Sequence, residues 1–116
     1  MSEVKKVSEI TFKVSLDENN IPVNIDWAAS DNNEKSVCKA VMISLWDEKE
    51  QNTMRIDLWN KEMMIDEMKR FFHQSLVTMA DTFERATGED KIVGDMRDFC
   101  DHFAEKMKIV PPTNEN

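Results

Sequence analysis

The sequence predicts an α+β protein. It reads as a four-stranded antiparallel sheet followed by two antiparallel helices packed on one of its faces, in the order β-β-β-β-α-α. Two observations carry this. Apolar residues alternate with period two through the first half, and the period changes to steps of three and four after Asn60. Polar turn clusters separate the alternating runs, which places consecutive strands side by side.

The first strand is Ile10, Phe12, Val14 and Leu16 interleaved with Glu9, Thr11, Lys13 and Ser15. One of its faces is apolar and the other polar, the pattern of a half-buried strand. Asp17-Glu18-Asn19-Asn20 supplies turn chemistry. A second strand follows, with Ile21, Val23, Ile25 and Trp27 against Pro22, Asn24 and Asp26. Pro22 cannot donate to a ladder, so this strand should lie at an edge or begin near Pro22. Residues 28–35 (AASDNNEK) read as a polar loop.

Val37 to Trp46 is apolar on both faces. It reads as a strand, although Cys38, Met42 and Trp46 also fall at helical spacing. β-branched residues and the adjoining turn favour the strand. Asp47 to Asn52 makes a polar reversal, and Thr53 to Trp59 alternates again. If the reversal pairs Trp46 with Thr53, then Ser44 faces Arg55, Met42 faces Asp57 and Ala40 faces Trp59. Val41, Ile43 and Leu45 then share a face with Met54, Ile56 and Leu58, which is the face the helices should cover. Ala40, Met42, Trp46 and Trp59 lie on the other face, as a candidate interaction surface. Exposed apolar patches mark association sites, and Trp is enriched at interface hot spots.

Asn60 is a plausible N-cap for a long helix with an apolar stripe of Ile65, Met68, Phe72, Leu76, Met79, Phe83 and Ala86, closed by Gly88. A second amphipathic helix starts near Asp90. Its apolar face is Ile92, Met96, Phe99 or Cys100, Phe103 and Met107, and it stops before Pro111-Pro112. The domain should span residues 7–110, with flexible tails at 1–6 and 111–116.

Composition narrows the function. The 116 residues hold 23 Asp plus Glu against 15 Lys plus Arg, a net charge of −8. That balance argues against nucleic acid, whose affinity comes largely from basic side chains on phosphates. The charge is spread evenly: residues 1–60 hold 11 acids and 7 bases, so no basic arm or acidic tail stands out. Two glycines, Gly88 and Gly94, cannot build a phosphate cradle. There is no secretory leader, no stretch long and apolar enough for a membrane span, and two lone cysteines, Cys38 and Cys100. The expectation is a cytoplasmic protein with reduced thiols and no membrane insertion.

Reaction chemistry is weakly signalled. Asp98, His102 and Glu105 can share one helix face and converge on an ion, but a solvated acidic face is the plainer reading. His73 sits mid-helix and reads as a half-buried structural histidine rather than a pH-sensing interface group. Ser44, Ser75, Cys38 and Cys100 show no nucleophile–base spacing. No catalytic residue, cofactor or metal is assigned. Nine methionines, among them Met63, Met64, Met68 and Met79, suit gap-filling in a core or an adaptable binding surface.

Three runs carry a family resemblance: SLWDEKEQNTMRIDLWNKEMMIDEMKRFFHQ (44–74), TMADTFERATG (78–88) and DMRDFCDHFAEKM (95–107). They resemble the gliding-motility-associated GldC family of Bacteroidota, over roughly residues 7–110. The resemblance implies a small, non-enzymatic accessory protein of the gliding machinery, acting by protein–protein interaction beside envelope motility components. It supplies no reaction or cofactor. The apolar sheet face adds an expectation of homo-oligomers. The strand-then-helix order of a small acidic protein also resembles the secretion chaperone SecB, at the level of fold analogy alone. On that alternative the Trp/Met face would grip apolar peptide segments.

Overall fold

A computed structural model describes residues 3–31 and 33–109. Five strands precede two helices: β1 (Ile10–Leu16), β2 (Pro22–Ala29), β3 (Glu34–Cys38), β4 (Ala40–Asp47), β5 (Asn52–Trp59), α1 (Ile65–Thr87) and α2 (Asp90–Met107). The protein is α+β, with the strands in two antiparallel sheets ordered β1-β2-β3 and β4-β5. The chain divides into two compact units between Met63 and Met64.

The single four-stranded sheet expected from the sequence is thus replaced by sheets of three and two strands. The expected third strand is the reason. It begins earlier, at Glu34, and breaks at Lys39 into β3 and β4. Its two halves serve different partners: β3 pairs with β2, and β4 pairs with β5. The break at Lys39 is where the pairing passes from β2 to β5. The polar loop expected over residues 28–35 is shorter: Ala28 and Ala29 end β2, and Lys35 and Glu34 of β3 pair with them.

In the three-stranded sheet, Phe12 lies opposite Trp27, and Val14 opposite Ile25, which also faces Cys38. These side chains share one face; Thr11, Lys13, Asp26 and Lys35 alternate onto the other. Ile25, on the central strand, is fully buried. Pro22 opens β2 beside a register shift between Ser15 and Leu16, where a missing N–H is tolerated.

The β1–β2 turn is held by Asp17. Its Oδ1 accepts from the backbone N–H groups of Asn19 at 2.8 Å and Ile21 at 3.0 Å. Its Oδ2 meets Lys61 Nζ at 2.6 Å. The Lys61 bond first, then the Ile21 and Asn19 amides, lower the Asp17 carboxyl from 3.8 to about 2. A depressed acid adds stability above its unfolded value near 4 and loses it as pH falls toward 2. Asp17→Asn should lower the melting temperature at pH 7, and the deficit should shrink toward zero by pH 2. Equal deficits at both pH values would remove Asp17 from this role.

The helical unit is an antiparallel hairpin. Gly88, at φ 70°, caps α1 through its N–H to Glu84 O. Only Glu89 separates it from α2. Across the seam His73 stacks on Phe103, with ring centroids 6.2 Å apart, and Arg97 Nη2 bridges Asp81 Oδ1 at 3.0 Å and Glu84 Oε1 at 2.9 Å. Ala80, Val93 and Cys100 are buried. Phe72, Met79 and Phe83 of the expected α1 stripe remain exposed, as do Ile92 and Phe99 of α2.

Asn60 is not the N-cap of α1. The helix starts at Ile65 with Met64 in the cap position, where Glu67 Oε1 accepts from Met64 N–H at 2.9 Å. Met64 has no oxygen to return the bond, so only the glutamate half of a capping box is made. Asn60 instead closes the sheet unit. It is buried, its N–H donates to Lys39 O, and its Oδ1 accepts from Glu62 N–H. Helix α2 ends at Met107, capped by Lys108 at φ 58°. Pro111-Pro112 and the expected tail from 111 lie outside the described residues.

Candidate interaction site

The two-stranded sheet carries all four residues of the candidate surface. Its register is Ala40↔Trp59, Val41↔Leu58, Met42↔Asp57, Ile43↔Ile56, Ser44↔Arg55, Leu45↔Met54, Trp46↔Thr53 and Asp47↔Asn52. The reversal is built by Asp47, whose backbone O accepts from Gln51 N–H at 2.8 Å and whose Oδ2 accepts from Glu50 N–H. Gln51 takes φ 56° to end the four-residue loop.

Ala40, Met42, Trp46 and Trp59 lie on one face, but not as one patch. Trp59 sits directly opposite Ala40 at the base of the hairpin, with Met42 two residues along. Trp46 is six residues from Ala40, so the two indoles are about 20 Å apart. Between them stand Ser44, Arg55 and Asp57. Arg55 donates to Ser44 Oγ at 2.7 Å and to Asp57 Oδ1 at 2.8 Å. Trp46 is 66% exposed and Trp59 55%. The surface is two apolar anchors with a polar bridge.

The other face is a continuous apolar run of Val41, Ile43, Leu45, Met54, Ile56 and Leu58, ended at the turn by Asp47 and Asn52. Leu45 and Met54 are 54% exposed and Ile56 48%. The alternating pattern shows this face in the sequence. The assumption that helices cover it kept these three residues out of the candidate set.

The chemical alternatives place as follows. His102 is exposed, with its ring 6.1 Å from that of Phe99. Among the described residues no group of three or more His, Cys, Asp or Glu side chains could hold a metal ion. Cys38 and Cys100 are free, and partial burial pushes both thiols up, toward the protonated form. Lys13, Asp26 and Lys35 line an open concavity on the polar face of the three-stranded sheet, with Thr11 and Ser36 as its hydroxyls. No histidine or cysteine lines it. Among the described residues no helix is long and apolar enough to cross a membrane.

Fold and surface together define a small α+β protein whose most unusual feature is an apolar β-hairpin. Residues 22–109 match the family model described as "Gliding motility-associated protein GldC-like", so the chain belongs to the GldC-like family. No curated protein and no solved structure matches it.

Proposed function

We propose that this GldC-like protein is a non-enzymatic, cytoplasmic accessory component of the gliding machinery, working without a cofactor and by binding other proteins. The observation behind this is the exposure of Trp46 and Trp59 on one strand face, in a chain of a gliding-motility-associated family. Large aromatic side chains held on a β-hairpin are rigid, carry much contact area and lose little entropy on binding. Leaving them in water costs the free protein solubility, which a partner surface offsets.

Capture of native complexes from a gliding bacterium tests the reading. Wild-type protein should retain an envelope motility or secretion component, and the Trp46→Ser/Trp59→Ser double variant should lose it while keeping its far-UV spectrum. Recovery of no such component with the wild type would sink the proposal.

The chaperone alternative has less behind it. It drew on a four-stranded topology, and the strands form sheets of three and two.

A further inference from the structure

We infer that β4 is a self-pairing edge, on which the β4 strand of a second copy of this chain docks antiparallel to form a dimer. This rests on reading the hairpin as an interaction element. It names a second copy as the occupant of one edge of it.

The phase of the ladder shows what β4 offers. Asn60 N–H donates to Lys39 O at 2.8 Å, one step beyond the Ala40↔Trp59 pair. Hydrogen-bonded pairs alternate along an antiparallel ladder. Val41, Ile43 and Leu45 therefore exchange bonds with Leu58, Ile56 and Met54. The N–H and C=O groups of Met42, Ser44 and Trp46 point away from β5. The sheet holds two strands, so that outer edge of β4 has no strand beside it among the described residues.

Proteins guard open edges with charge, proline or bulges. The other edges here follow that rule: β1 carries Lys13, β3 carries Glu34 and Lys35, and β5 carries Arg55 and Asp57. β4 reads AVMISLWD, with no proline and no charge before its last residue. A two-stranded hairpin alone is marginal in water and gains independent stability from a third strand.

The edge suits a second copy because antiparallel pairing of a strand with itself is two-fold symmetric. With the axis at Ser44, the overlap covers residues 41–47 and stays clear of the bend at Lys39. Met42 then lies opposite Trp46 of the second copy, and Ile43 opposite Leu45, each pair occurring twice. A chain of net charge −8 repels its own copies over most of its surface, and this edge brings no acid to the centre of the contact. On β4 itself the exposed parts of Leu45 and Trp46 amount to about 270 Å² of apolar surface beside this edge. Pairing covers part of it and sets the apolar faces of the two copies edge to edge, with Asp47 opposite Val41 only at the ends of the contact.

Sedimentation of the purified full-length protein should give a dimer. Met42→Pro removes an outward N–H and leaves the bonds to β5, so it should weaken the dimer at least tenfold with the far-UV spectrum kept. Single cysteines at positions 43 and 44, placed in a Cys38→Ser/Cys100→Ala background, read the geometry directly. Residues facing each other as a hydrogen-bonded pair have Cα atoms about 5.5 Å apart, within disulfide reach, so Ser44→Cys should crosslink on oxidation. A crosslink at Ile43→Cys instead also supports the edge, with the axis moved by one residue. A monomeric wild type, or a dimer that survives Met42→Pro and crosslinks at neither position, overturns the proposal. These outcomes concern purified protein, so they can fail while the capture of a motility component succeeds, and the reverse.

Discussion

Ile25→Ala should destabilise the sheet unit by about 2–4 kcal/mol, a large share of what a small unit has. Ile25 is 0% exposed and sits on β2 between Val14 and Cys38. Truncation removes three methyl or methylene groups and leaves a cavity that flanking strands cannot close without losing register. Ile25→Val should cost about 0.5–1.5 kcal/mol. Urea unfolding followed by tryptophan fluorescence is the measurement. All three tryptophans, Trp27, Trp46 and Trp59, are in the sheet unit, so the signal reads that unit. A shift below about 0.5 kcal/mol for the alanine variant, the range of an ordinary surface change, would mean that Ile25 does not anchor the sheet.

Much of this fold was legible where local patterns decide. Pairing Trp46 with Thr53 across the reversal at Asp47–Asn52 sets Val41, Ile43 and Leu45 beside Met54, Ile56 and Leu58, and that register is the one observed. Gly88 was readable as a stop because only a left-handed residue ends a helix that way cheaply. The break at Lys39 was not legible. It falls where pairing passes from β2 to β5, and no residue in Cys38-Lys39-Ala40 marks it. Glu34 and Lys35 were not legible as strand either: backbone pairing with Ala29 and Ala28 holds them, and periodicity sees only side chains. Asn60 carried a true capping chemistry in the wrong place. Its amide oxygen takes the Glu62 N–H, while Glu67, three residues after Met64, was the readable sign of the real start. The four candidate residues were placed on one face correctly. Their spacing along the strands was there to be counted, and it separates Trp46 from Trp59.

That separation gives the second large effect. Trp46→Ser should raise the dimer dissociation constant about 30-fold, the loss of a hot-spot side chain worth about 2 kcal/mol. Its backbone groups point to the free edge of β4, and pairing there sets it opposite Met42 of the second copy. Trp59→Ser should leave the dimer within about threefold of wild type, since Trp59 is on β5 and pairs inward with Ala40. The same Trp59→Ser variant should still lose the motility component in capture experiments, because it lacks the indole that the dimer leaves exposed at the base of the hairpin. Groups about 20 Å apart with no shared partner act independently, so the double variant should show both losses at full size. Sedimentation equilibrium gives the dissociation constants, and capture from a gliding bacterium gives the partner. If Trp59→Ser breaks the dimer as strongly as Trp46→Ser, the two tryptophans belong to one face-to-face contact, and the β4 edge is not where the copies meet.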